Sequence, residues 1–127
     1  MPLNLMHVDD EPDIREVTAF ALELDSDIVV ASYASGAEAL AELEDGVRPD
    51  VVLLDVMMPL LDGPGVLARL RGLEGLEQAP VIFMTARVQS DEVERLKRLG
   101  AIGVIVKPFD PMTLARQVRD LLAEAGA

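Results

Sequence analysis

Val51-Val52-Leu53-Leu54-Asp55 decides the fold: four aliphatic residues in a row end on a carboxylate, and Pro59 follows four residues later. An aliphatic run with no polar alternation marks a central strand of a parallel sheet, covered on both faces. Met58-Pro59 breaks the strand, because proline has no N–H for the ladder. Asp55 is therefore expected at the carboxyl end of a buried strand.

Outward from that strand, residues 81–85 repeat the pattern, and residues 3–8 form an apolar run that stops at Asp9, Asp10 and Glu11. Residues 27–33, with Ile28, Val29 and Val30, read as a further strand, and residues 103–106 as a short one ending at Lys107. Helical spacing fills the gaps. It runs through Ile14, Val17, Thr18, Ala21 and Leu22 after Pro12, and through Ala37, Leu40, Ala41 and Leu43 after Ser35-Gly36. Val66, Leu67 and Leu70 follow Asp62-Gly63-Pro64, and Val93, Leu96 and Leu99 follow Ser90, the expected cap, with Gly100 as the stop. A last helix is expected from about Pro111, with Leu114, Val118, Leu121 and Leu122 as its stripe. Residues 46–50 and 72–80 are turns and links. Parallel strands need crossover connections, so five strands alternating with five helices predict a doubly wound α/β sandwich.

At 127 residues the chain fits one compact domain, 1–127, with no linker or repeat. No apolar run approaches the roughly 20 residues that cross a bilayer, and the N-terminal run is too short for a signal peptide. A soluble, cytoplasmic protein with no membrane partner is expected. The absence of cysteine excludes disulfides and thiolate chemistry, and the single histidine argues against a histidine-rich metal site. The net charge of −12 opposes nucleic-acid binding, since phosphates demand Lys and Arg. That charge is uneven: residues 1–86 hold 17 acids and 4 bases, residues 87–127 hold 6 acids and 7 bases. The C-terminal third is an ordinary mixed-charge surface or a docking face, with Arg87, Arg95, Lys97, Arg98, Arg116 and Arg119 as candidate contacts.

In doubly wound sheets ligands sit at the carboxyl ends of the strands, beside the topological switch point. The residues there are Asp9 and Asp10, Asp55, Thr85-Ala86, and Lys107-Pro108. Taken singly, an acid after the first strand is a helix cap, Lys107 a loop lysine and Thr85 a strand former. Together they bring three carboxylates, a hydroxyl and an ammonium to one edge. Crowded carboxylates call for a cation, and Mg²⁺ takes hard oxygen ligands while keeping several waters. Beside such an ion a carboxylate can act as a nucleophile toward a phosphoryl group. Lys107 and Thr85 can each hold a phosphoryl oxygen. His7, inside the first strand, reads as a core or edge histidine, and Phe20, Phe83 and Phe109 as packing residues. Gly63, Gly65 and Gly72 make no nucleotide-binding pattern.

The stretches Val8-Asp9-Asp10-Glu11, Leu53-Leu54-Asp55-Val56-Met57-Met58-Pro59, Asp62-Gly63, Thr85-Ala86 and Lys107-Pro108-Phe109 resemble the receiver domains of two-component response regulators, over residues 3–122. The resemblance implies a flavodoxin-like sheet of order 2-1-3-4-5, with Asp55 as phosphoacceptor. It further implies that Asp10, Asp55 and the Met57 carbonyl bind Mg²⁺, that Asp9 assists directly or through water, that Thr85 and Lys107 bond the phosphate, and that the Lys107-Pro108 peptide can be cis. Its implied partners are a histidine kinase or phosphotransfer protein and a downstream target, with a monomer or a phosphorylation-dependent dimer. The chain would then be a switch rather than an enzyme. The family's aromatic residue three before the lysine is replaced by Val104, so output is expected through the loop after Thr85, the fourth helix or the fifth strand's register. Met57 and Arg87 flank the path of hydrolytic water.

Two other readings stand beside the switch: a phosphate sink or relay intermediate without output, and an aspartyl-phosphate hydrolase. Against the hydrolase, Met57 stands where such an enzyme needs a second carboxylate.

Overall fold

The computed structural model describes residues 2–87 and 89–126. Five parallel strands, β1 (Leu3–Val8), β2 (Ile28–Tyr33), β3 (Val51–Asp55), β4 (Val81–Thr85) and β5 (Gly103–Val106), form one sheet of order β2-β1-β3-β4-β5. The aliphatic central strands are buried throughout: every residue of β3 and β4 is inaccessible to solvent or nearly so. Strand alternation divides the core into two layers. Met6, Val8, Val52, Leu54 and Phe83 pack on one face, and Leu5, Leu53, Ile82, Met84 and Ile105 on the other.

The helices are α1 (Pro12–Leu22), α2 (Gly36–Glu44), α3 (Gly63–Leu70), α4 (Ser90–Arg98) and α5 (Leu114–Glu124). Residues of α1 and α5 cover the Leu5–Leu53 face; residues of α2, α3 and α4 cover the other. Start signals hold where the side chain reaches the backbone. The Ser35 hydroxyl accepts from Glu38 N at 3.1 Å, and Asp62 Oδ1 accepts from Gly65 N at 2.8 Å, each cap contributing about 1 kcal/mol. Gly63 could be nothing else, because a Cβ there would stand 2.5 Å from the Asp55 carbonyl oxygen. Gly100 ends α4 at φ +115°, a left-handed conformation that suits glycine.

Four expectations are corrected. Ser90 is the first residue of α4 rather than its cap; Gln89 holds the cap position without a side-chain bond. The last helix begins at Leu114 instead of Pro111, because Asp110 organises a turn, accepting Met112 N on its carboxylate and Thr113 N on its carbonyl. Leu99 is exposed at the end of α4, leaving Leu96 as that helix's one fully buried side chain. Phe20 is 67% exposed, so it does not pack in the core; Phe83 does, and Phe109 packs in part against the α1/α5 layer.

Candidate functional site

The alternation of the strands explains why distant residues meet. Leu5 and His7 of β1, Leu53 of β3 and Ile105 of β5 occupy alternate positions, and Leu5, Leu53 and Ile105 pack in the α1/α5 layer. One pleat further on, the same files deliver Asp9, Asp55 and Lys107. Register agrees, since Val8 pairs with Leu54, one step before Asp9 and Asp55. Thr85 belongs to the opposite file, with Phe83 and Val81, and Val104 packs partly buried in that layer.

Asp9, Asp10 and Asp55 each offer a carboxylate oxygen within 4.8 Å of the others. Asp9 and Asp55 are buried and Asp10 is half-buried. The Lys107 ammonium lies between two of them, 2.9 Å from Asp9 Oδ2 and 3.1 Å from Asp55 Oδ1. Burial, above all, raises the Asp55 pKa, and the charges of Asp9 and Asp10 add to the rise; Lys107 opposes it. Burial pulls the other way on Lys107, but its hydrogen bond to Asp9 and the charges of Asp55 and Asp9 prevail and raise its pKa. Three carboxylates facing one ammonium leave a negative excess. An oxygen-seeking divalent cation fits that donor set, which holds no nitrogen or sulfur ligand.

Thr85 is buried, and its hydroxyl oxygen accepts from Arg87 N at 3.0 Å, which leaves the hydroxyl hydrogen free to donate. Met57 lies two residues beyond Asp55 with its side chain 64% exposed. The Lys107-Pro108 peptide is cis. Two of the candidate docking arginines are already engaged: Arg119 with Asp25 at 2.7 Å, and Arg95 with Glu92 at 2.9 Å. One positioning contact has no counterpart in the sequence reading. Arg15 Nη1 of α1 donates to the Asp9 carbonyl at 2.7 Å, and Asp9 Oδ1 accepts from Glu11 N at 3.0 Å, so backbone and carboxylate of Asp9 are both held.

His7 is the core histidine expected. Among the described residues neither ring nitrogen has a partner, and burial lowers its pKa to about 4, the Asp9 charge opposing this and Lys107 and Arg15 assisting. The imidazole is neutral at physiological pH.

The family model of the response regulator receiver domain matches residues 5–119. The chain belongs to this family. As a receiver it is 37% identical over 126 residues to the response regulator Rre1 of Synechocystis sp., an alignment covering 99% of this chain and 54% of that protein. It is likewise 37% identical to the transcriptional regulatory protein CseB of Streptomyces coelicolor, over 97% of this chain and 50% of CseB. The receiver thus spans about half the length of these curated relatives. Among solved structures, the chemotaxis response regulator CheY4 of Vibrio cholerae superposes with a TM-score of 0.87 at 30% identity, covering 96% of this chain and all of that one. The chain is a receiver domain of two-component signalling, and its family is one of signalling switches.

Proposed function

We propose that this receiver takes a phosphoryl group onto Asp55 from the phosphohistidine of a histidine kinase or phosphotransfer protein, in the cytoplasm, and thereby changes its affinity for a downstream target. The observation that carries the reading is the buried Asp55 carboxylate, with its pKa raised, in contact with Lys107 and beside Asp9 and Asp10. In the transfer the donor's N–P bond breaks, an Asp55 O–P bond forms, and the imidazole leaves with the electron pair. Asp10, Asp55 and the Met57 carbonyl would hold Mg²⁺, with Asp9 acting directly or through water. When bound, the ion neutralises charge on the phosphoryl oxygens and lets anionic donor and acceptor approach.

The remaining roles fall to the chain's own residues. Lys107 already bonds Asp55 and is placed to take a phosphoryl oxygen as that carboxylate is esterified. Thr85 donates its free hydroxyl hydrogen to another while still accepting from Arg87 N, so phosphorylation bears directly on the loop that follows β4. With valine at position 104, that loop and α4 are the route outward. Residues 1–127 form one receiver unit, and an effector region beyond it would agree with relatives about twice as long.

Incubation with a small phosphodonor or beryllofluoride, with and without Mg²⁺, tests the assignment. Wild type gains an aspartyl phosphate from the phosphodonor, or binds the beryllofluoride mimic, only with Mg²⁺; Asp55→Asn gains neither and Asp10→Asn far less. Equal labelling of Asp55→Asn overturns it. Met57 shields the acyl phosphate from water, so Met57→Asn shortens its lifetime several-fold, measured by loss of label after the donor is removed.

A further inference from the structure

Of the two outer strands of the sheet, β5 is four residues long and begins with Gly103, whereas β2 is six residues long and holds no charge, proline or glycine. Outer strands are ordinarily blunted by such residues, because their unpaired N–H and C=O groups are a template for another strand. Leu3 N donates to Asp27 O at 2.7 Å and Asp9 N to Tyr33 O at 3.1 Å, so the odd-numbered residues of β2 face β1. Ile28, Val30 and Ser32 therefore turn their backbone groups outward. The Ile28 N–H donates to Asp25 O at 3.0 Å, and the Val30 N–H reaches only the Glu23 carboxylate, at 3.5 Å. Among the described residues no strand meets the others. Beside this edge, on the α2 side of the sheet, Val29 and Ala31 join Val47 and Pro49 of the α2–β3 connection in lining a groove of about 200 Å³. Val29 is 51% exposed. The groove is smaller than ordinary small-ligand sites, which run from about 300 Å³ upward, and suits a single aliphatic side chain.

Charge selects what can pair there. Residues 16–47, which span most of α1 and all of β2 and α2, hold eight acids and no base. Glu23, Asp27, Glu38 and Glu42 are exposed, while Asp25 is ion-paired with Arg119. The bases at either end of that segment are engaged with the backbone: Arg15 with the Asp9 carbonyl, Arg48 with the carbonyls of Leu43, Val47 and Glu74. We propose that the outer edge of β2 docks an extended segment of a protein partner, bearing lysine or arginine, by strand addition. Alternate side chains of an added strand point to opposite faces of the sheet. Aliphatic ones on the α2 side enter the groove beside Val29 and Val47, and basic ones on the α1 side meet Glu23, drawing its carboxylate off the Val30 N–H. Main-chain bonds then supply affinity, and the side chains supply selection. A second copy of this chain, a nucleic acid or an anionic membrane would each bring further negative charge against the edge. Docking here requires no phosphoryl group on Asp55.

Fluorescence anisotropy of a short labelled peptide that alternates lysine and valine, titrated with the full chain at low salt, tests this. Saturable binding is expected, with amide chemical-shift changes centred on residues 28–33, and an alternating glutamate–valine peptide is expected not to bind. The lysine–valine peptide N-methylated on every amide keeps each charge and side chain but cannot donate to a strand, and its affinity is expected to fall at least about tenfold. Ser32→Pro removes one outward N–H at an edge position, where proline is tolerated, and Val29→Lys places a positive charge at the groove; each is expected to weaken binding of the unmodified peptide by a similar factor. Thermal unfolding checks both variants, and if Ser32→Pro does not fold, Val29→Lys and the methylated peptide carry the test. Equal binding of the methylated peptide overturns strand addition, since the acidic surface then attracts cations without pairing. No binding of the unmodified peptide, or equal binding of the glutamate peptide, overturns the proposal too. So does a dimer of the chain alone, seen in sedimentation, that Ser32→Pro dissolves, because the edge then belongs to a second copy.

Discussion

Two sets of buried polar groups lie close together on the same face of this sheet and are treated in opposite ways. At the strand ends, the buried Asp9 and Asp55 both bond the half-buried Lys107. One pleat back along β1, His7 has no partner for either ring nitrogen among the described residues, and the Thr18 hydroxyl of α1 is also unpartnered among them. A paired charge in the interior has its desolvation penalty offset in part by its partner, whereas an unpartnered polar group keeps all of it. The first set concentrates charge where chemistry can use it. The second set only lowers stability, and the difference is testable residue by residue.

The largest effect comes from breaking the paired set. Lys107→Met keeps much of the aliphatic stem but leaves Asp9 and Asp55 facing each other without a cation. Loss of about 2–3 kcal/mol at neutral pH is expected in metal-free urea unfolding. Asp55 loses its charge on protonation, so the deficit shrinks as pH falls through its folded pKa, which lies above the ordinary carboxylate range. A deficit that is constant with pH would show that packing, and not charge, had been lost.

His7 gives the converse case. Its folded pKa of about 4 lies below the unfolded value of 6.5, so the unfolded state binds the extra proton between the two. In the metal-free protein the His7 contribution is expected to be neutral above pH 6.5 and to cost roughly 3 kcal/mol as the pH falls to 4. His7→Leu removes this slope. It also frees the core of two unsatisfied nitrogens, and is expected to be about 1–2 kcal/mol more stable than wild type at pH 7.

These contrasts show what a sequence can display. The site was legible because its members sit at the ends of aliphatic runs, and the doubly wound topology brings such ends together whatever their separation. Lys107 and Asp9 are 98 positions apart in the chain, yet both follow from strands that stop. Arg15 was not legible, since its acceptor is a backbone carbonyl and no complementary side chain announces it. Phe20 misled because aromatic residues usually pack inward; the buried stripe of α1 is Thr18, Ala21 and Leu22, and position 20 falls off it. The start of α5 was displaced by the turn that Asp110 builds, which helical periodicity does not reveal.

Asp55 lies between the two sets, for it is paired yet still held above its ordinary pKa by burial, with the charges of Asp9 and Asp10 adding to that. The ionised form therefore opposes folding at neutral pH. Asp55→Asn, which removes the proposed phosphoacceptor, is expected to raise stability at pH 7, read as a Tm above that of wild type. That gain disappears below the unfolded carboxylate pKa, where Asp55 is neutral in both states. If Asp55→Asn instead destabilises the fold at neutral pH, the Lys107 contact outweighs the burial of the charge.

The smallest effect isolates the unpartnered class without any charge. Thr18→Val preserves shape and β-branching on α1 and removes only the hydroxyl, which is buried and unbonded among the described residues. Removing an unsatisfied hydroxyl at constant volume is expected to stabilise the fold by about 0.5–1 kcal/mol, with no dependence on pH between about 4 and 8. The phosphorylation rate should stay at the wild-type value, because the Thr18 hydroxyl makes no hydrogen bond to the groups at the strand ends among the described residues. If Thr18→Val instead loses stability, the hydroxyl is bonded in solution, most simply to a buried water shared with His7. His7→Leu should then lose stability too, and the double variant should cost less than the two single changes added together.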